Sequence, residues 1–439
     1  MISNAHIADR GPARQLLLLG LLMTMAGAAA PSVAHPAAAA LRSRVDVLCS
    51  PPLAGRAAGT QGGVAAADSL VSWYAAAGLQ PAFAGDWRQR FPLRGEGWTG
   101  DALAGRHGTS VGALLPGAGS LAGRWLVVAA HLDHLGPVDP PAAGHAPAAG
   151  AYYPGANDNA SGIVVVHELA RRLRAAVDGT GGDRRGIIFL HPDAEEVGLQ
   201  GAAWFVDHPP VPLDSIDVMV NLDTVGRLGD GRLIVSGIGT AAPLQASVTA
   251  AAAAAGVVVN PSRGGWSGSD HMVFNTREVP VLFLFGGPYP EYNRPQDAPD
   301  ILDYDALGLV LDFTQALVTG LRDVRDPFTW VMVEGALRDD TGGAVAGNRQ
   351  TWLGTMPDFT EGQAGYRIAS VFADSPAEAA GLAKGDLMVS FGNHDVADLA
   401  TFTTALRAYA PGDLVEIGVV RDGRRLRFTV ALGDRAQRR

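Results

Sequence analysis

The 439 residues are enough for two or three domains, and 47% hydrophobic residues with 56 glycines describe a folded chain rather than a disordered one. A net charge of −10, from 44 acidic and 34 basic residues, argues against nucleic acid as a partner. The single cysteine, Cys49, excludes an internal disulfide and argues against a thiolate metal site, which leaves histidine and carboxylate as the side chains for holding cations.

Residues 1–34 read as an export signal. Arg10 and Arg14 supply the positive region, residues 16–30 are apolar but too short and alanine-rich to favour a membrane span, and Ser32-Val33-Ala34 is a small-x-small cleavage site. The expectation is a mature chain starting near His35 in the periplasm or the secreted space, with no membrane attachment after cleavage; an uncleaved anchor is the alternative. A loop over residues 54–60 precedes an amphipathic helix at about 64–77, where Ala67, Leu70, Val71 and Tyr74 recur at helical spacing. From residue 123 to 321, strand-like apolar runs alternate with helical stretches, the pattern of βαβ units and a mostly parallel sheet. Residues 161–176 form one such helix, and the alanine-rich stretch 241–255 is expected to be another. Near Asp326 the pattern changes to shorter strands, with hairpin turns at Asp340-Thr341-Gly342-Gly343 and Arg421-Asp422-Gly423-Arg424 and one helix over 397–409. The expected organisation is an α/β catalytic domain over 41–325, a mostly parallel central sheet flanked by helices, and a small β-rich domain over 330–434.

Polar residues follow three of the apolar runs directly. His131-Leu132-Asp133 follows residues 125–130, Glu195-Glu196 lies just beyond residues 187–190, and Asp223 follows residues 218–220. Open α/β sheets build their sites at the carboxyl ends of parallel strands. Taken singly, each motif has a plainer reading. His131 and Asp133 fit a hydrogen-bonded loop, and Asp158, in Gly-Ala-Asn-Asp-Asn-Ala-Ser-Gly, fits a helix N-cap. The adjacent glutamates fit a solvated acidic turn, although paired carboxylates at a buried strand end are costly unless protonated or bound to cations. Asp223 in so apolar a run calls for a cation or a set of donors. His271 could be a ligand, a donor to substrate or a structural loop residue.

Together, with the entry segment Leu53-Ala54-Gly55-Arg56, the segments across residues 45–322 resemble the co-catalytic di-zinc aminopeptidases of clan MH, which include secreted bacterial leucyl aminopeptidases. The resemblance implies a zinc exopeptidase fold, two Zn²⁺ ions and peptide substrates with a free N-terminus. Asp158 would bridge both metals, His131 and Asp223 would complete one, and Glu196 would bind the other. Glu195 would act as general base on a metal-bridging water, and Asp133 would orient His131. The family's final motif typically reads His-x-Asp-Tyr-His-x-Pro; here its metal-binding histidine falls on Asn293 and an upstream histidine on Tyr289. Asn293 is then the expected third ligand of a weaker second site, which Mn²⁺ could occupy. Trp266, Tyr289 and His271 are the expected substrate-facing residues.

Residues 330–432 resemble a PDZ domain of the bacterial protease type. Trp352-Leu353-Gly354 matches the loop that receives a peptide C-terminus, and residues 375–386 match a segment such domains carry between strands. Two further readings remain at this point. One is a catalytically impaired or inactive binding protein that uses its PDZ groove, motivated by Asn293; the other is a glutaminyl cyclase.

Overall fold

The computed structural model describes residues 34–94, 103–138, 151–177, 182–264, 268–333, 351–357, 365–372, 375–397 and 399–434. The expected export signal, Trp266 and the Asp340 turn lie outside the described residues. Among the described residues no helix is long and apolar enough to cross a membrane.

The first part is built on a nine-stranded sheet. In chain order its strands are β1 (Gln80–Pro81), β2 (Arg88–Pro92), β3 (His107–Leu115), β4 (Trp125–Ala129), β5 (Gly186–His191), β6 (Ile216–Asp223), β7 (Leu233–Ser236), β8 (Val259–Ser262) and β9 (Val281–Phe285). The central strands run parallel in the order β5-β4-β6-β9. On one side β3 pairs antiparallel with β5, and on the other β7 pairs antiparallel with β9, so the sheet is mixed around a parallel centre.

Both faces are covered, which is why the central strands read as unbroken apolar runs rather than alternating ones. Alternate residues serve opposite layers. Leu126 and Val128 pack with α1 (Ala38–Leu48), α2 (Gln61–Ala76) and α3 (Gly162–Val177). Val127 and Ala129 pack with Phe205 of α4 (Gln200–Asp207), and with Phe274, which the sequence places between β8 and β9. The first layer also holds α5 (Leu244–Ala255), the alanine-rich helix, which ends where Gly256 takes a left-handed conformation, and a short helix α6 (His271–Asn275) lies in the second. The long helix α7 (Tyr304–Asp323) is capped by Asp303, whose side chain accepts the N–H groups of Asp305 and Ala306. Likewise α2 starts earlier than its apolar spacing indicates because Thr60 caps it, accepting the N–H of Gly63.

The C-terminal part has its own core, around Leu353, Tyr366, Ile368, Met388, Phe391, Ile417 and Val430. Eight strands, β10 (Thr351–Trp352), β11 (Thr355–Pro357), β12 (Tyr366–Val371), β13 (Leu387–Phe391), β14 (His394–Asp395), β15 (Leu414–Arg421), β16 (Arg424–Ala431) and β17 (Gly433–Asp434), form a six-stranded and a two-stranded sheet. The expected hairpin joins β15 to β16. Asp422 (φ 50°) and Gly423 (φ 75°) both take positive φ, as a two-residue turn matched to strand twist requires. Asp386 is fully buried, and its carboxylate is held by the guanidinium of Arg421 at 2.6 and 2.7 Å.

The topology places the site. Because β4 lies between β5 and β6, the residues that follow β4 and β5 and the end of β6 meet at one edge of the sheet.

Candidate metal centre

Arg56 organises the chain around the site. A tight turn, Pro51–Arg56, drives its side chain inward until none of it is exposed. There the guanidinium donates to the main-chain carbonyls of Leu48, Leu132, Pro154 and Gly155. It therefore ties the segment after β4 to the turn that carries Asp158.

That turn, Ala156–Ser161, precedes α3 and is fully buried. Asp297 secures it: its carboxylate accepts the N–H groups of Asn157 (2.8 Å) and Asp158 (3.1 Å), and its carbonyl accepts that of Ala156. Asp158 is thus no helix N-cap. Its backbone is held from outside, and its carboxylate is left to face the neighbouring strand ends.

Two groups of donors share it. His131 Nε2 lies 3.2 Å from one Asp158 oxygen and 3.6 Å from Asp223 Oδ1. His134 Nδ1 lies 2.7 Å from Glu196 Oε1 and 4.0 Å from the other Asp158 oxygen. Within each group, His131-Asp158-Asp223 and His134-Asp158-Glu196, one atom from each residue lies within 4.8 Å of the others. Imidazole and carboxylate are suitable zinc ligands, and two neutral rings do not balance this many carboxylates.

The surroundings orient these donors. His131 Nδ1 bonds to the main-chain carbonyl of Asp133 at 3.1 Å, whereas the Asp133 carboxylate stands 3.8 Å away. That carboxylate instead accepts the N–H groups of Glu195 (2.9 Å) and Glu196 (3.2 Å), so Asp133 fixes the acidic turn and orients His131 through its backbone. Asp223 accepts from Ser269 Oγ at 2.8 Å, which in turn accepts from Asn221. Ala194 (φ 64°) and Thr224 (φ 51°) adopt left-handed backbone immediately before Glu195 and after Asp223. Such conformations cost about 1–2 kcal/mol each and cluster at functional sites.

Burial drives the electrostatics. It pushes the Glu195 carboxyl well above its usual range, a rise His131 moderates and Glu196 reinforces. It raises Asp158 likewise, with Glu196 adding to the effect. Burial alone would lower His131, but Asp223, Glu195 and Asp158 outweigh it and hold the ring well above an ordinary histidine. Asp270 is fully buried, neither of its oxygens has a hydrogen-bond partner, and desolvation moves it up to about 7. This excess of unneutralised carboxyl groups is the condition a pair of divalent cations relieves.

A pH dependence follows. In the metal-free protein a raised Asp158 stabilises the fold below the ordinary carboxyl value of about 4, and that contribution is lost as pH rises through its higher folded value. A cation that displaces the proton reverses the loss, so the zinc-induced rise in melting temperature is expected to be larger at pH 8 than at pH 5. Thermal melts with zinc or with chelator at both pH values check this; equal gains would contradict it.

Three of the expected site residues have defined surroundings. Asn293, the expected second-site ligand, is a left-handed residue (φ 56°) whose Oδ1 is buried without a hydrogen-bond partner, and His134 is a further donor beside Asp158 and Glu196. Tyr289 is buried and donates its hydroxyl to Asp297 at 2.9 Å, so it supports the Asp158 turn. His271 is fully buried and stacked on Phe283, ring centroids 4.3 Å apart. Reading along the chain passed over His134; its available signal was a second histidine three residues after His131. In the C-terminal part, Leu353 is a core side chain, so only its backbone could meet a peptide. The Tyr292 and Phe372 rings meet at 5.9 Å, beside Trp352.

Residues 111–318 match peptidase family M28, and residues 348–432 match the PDZ domain. Aminopeptidase YwaD of Bacillus subtilis (strain 168) is 30% identical over 178 residues, a match spanning 38% of this chain and 38% of that protein. Among solved structures, BSAP, a zinc aminopeptidase from Bacillus subtilis, superposes with a TM-score of 0.52 at 18% identity, covering 67% of this chain and 98% of its own. A Porphyromonas gingivalis glutaminyl cyclase gives 0.51 at 18% identity, covering 66% of this chain and all of its own (100%), so at this level of identity the fold alone is common to both activities. The chain carries a peptidase family M28 domain followed by a PDZ domain.

Proposed function

We infer that this protein is a metal-dependent aminopeptidase that removes the first residue of peptides with a free N-terminus. The observation that carries the reading is the pair of donor groups sharing Asp158, with Glu195 beside them on the turn that Asp133 holds. Two zinc ions in those groups would supply Lewis acidity toward the first peptide carbonyl and charge to stabilise the developing oxyanion. Glu195 takes the proton of the attacking water and returns it to the leaving amine; burial raises its proton affinity, which suits the first of these tasks. The substrate's ammonium group sits among the acidic side chains, which favours cleavage at the first bond over internal ones. The relative's name, an aminopeptidase, agrees with this reading.

The reading as an inactive scaffold is motivated by Asn293, and the placement of His134 beside Glu196 supports the active reading over it. Export to the periplasm or the secreted space belongs to the proposal and rests on the leading segment alone. So does capture of a peptide C-terminus at Trp352-Leu353-Gly354, which rests on the PDZ match.

Mass spectrometry of a free-N-terminus peptide library, incubated with the protein and Zn²⁺ or Mn²⁺, tests the central claim. Ladders losing one residue at a time and abolished by chelator are expected. Intact peptides under every metal would sink the reading, and cyclisation of N-terminal glutamine would replace it with a cyclase.

A further inference from the structure

We propose that His134 binds the second metal ion through Nδ1, and that it has taken over the ligand role from the position Asn293 occupies. The proposal rests on the two-metal reading above and extends it to how this chain keeps a complete donor set.

The placement of His134 is built. Its side chain is buried, and its backbone N–H points to the carbonyl of Arg56, the residue whose guanidinium pins the neighbouring turn. Gly155 makes room for the ring: a Cβ there would stand 2.5 Å from the ring's Cδ2 and 2.6 Å from its Cγ. Gly155 also has φ 60°, which a side chain would resist. Nδ1 is thereby turned toward Glu196 and Asp158.

The distances fit coordination of a cation. Two ligands about 2.1 Å from a tetrahedral zinc lie roughly 3.4 Å apart. The first group already shows this spacing, with His131 3.2 and 3.6 Å from its carboxylate partners. In the second, His134 is 2.7 Å from Glu196 and 4.0 Å from Asp158, which brackets the same value. A small opening of the first contact and closing of the second admits the ion.

Meanwhile the segment that should carry the lost histidine has other work. Tyr289 and Asp297 bond to one another and support the backbone of Asn157 and Asp158, and Glu291 pairs with Arg227 at 2.5 Å. That loop contributes by holding the bridging residue, and the ligand itself comes from the segment after β4.

The test uses the full chain, loaded with zinc, dialysed and assayed by elemental analysis beside circular dichroism. The native protein and Asn293→Ala are expected to retain two ions per chain, and His134→Ser one or none. Two ions retained by His134→Ser, or loss of an ion from Asn293→Ala, would overturn the proposal. Should His134→Ser fail to fold, the native protein with ¹⁵N-labelled histidine and ¹¹³Cd²⁺ decides. Coupling of cadmium to one Nδ1 and one Nε2 is expected; coupling to Nε2 nitrogens alone overturns it. Absence of any bound ion in the native protein would instead refute the two-metal reading beneath it.

Discussion

Glu195→Gln is expected to lower the turnover of a free-N-terminus peptide by roughly 10³-fold, at the middle of the range for losing a positioned acid–base group. Glutamine keeps the size of the side chain, and the main-chain N–H of residue 195 still reaches the Asp133 carboxylate, so the turn keeps its shape. What disappears is the ability to take a proton from water and hand it on. The loss should fall on kcat with KM little changed, because the interaction matters only as the transition state forms. Neither donor group includes Glu195, so bound metal should be undiminished. Steady-state kinetics with parallel metal analysis checks this, and surviving turnover would remove Glu195 from the base role.

Arg56→Met carries the largest expected effect on stability, a loss of about 3 kcal/mol, in the range for removing a buried charged hydrogen-bonding group. Methionine fills much of the volume but leaves the buried carbonyls of Leu48, Leu132 and Gly155 and the half-buried one of Pro154 without their donor. Because two of these carbonyls immediately precede the Asp158 turn and a third precedes Asp133, zinc affinity should weaken with the fold. Urea denaturation of the metal-free protein isolates the first effect, and zinc titration of the folded variant measures the second. An unchanged denaturation midpoint would show that water replaces the guanidinium and that the residue is no organiser.

Much of this architecture was legible in the chain. Residues 125–130, 187–190 and 218–220 read as buried strands because helices cover both faces, and the polar residues beyond them met where the topology predicts. The mixed order of the sheet was not legible. Antiparallel pairing of β3 with β5 depends on a long-range choice of edge, and β3 carries glycine, serine and threonine instead of a continuous apolar run. At the site, His131, Asp158, Glu196 and Asp223 stood out as strand-end or loop donors. His134 did not, because a spacing of three has no facing rule outside a helix. The frame of the last motif also drew attention to residue 293. Asp297 escaped notice for a related reason: it acts on the backbone of residues 157 and 158, and sequence spacing carries no trace of so distant a contact.

Every side chain of the two donor groups falls between His131 and Asp223. Shorter loops have less closure entropy to overcome, so donors drawn from one continuous stretch are brought together at lower cost. In many architectures a late loop must both retain a metal and shape the entrance for substrate, and a change that helps one task harms the other. On the proposed donor sets the segment around Asn293 is relieved of the first duty, while its Tyr289 and Asp297 still hold the backbone of residues 157 and 158. Positions of this segment other than Tyr289 and Asp297 can then be altered for the peptides they admit without touching the support of Asp158, which makes them the place to redesign specificity.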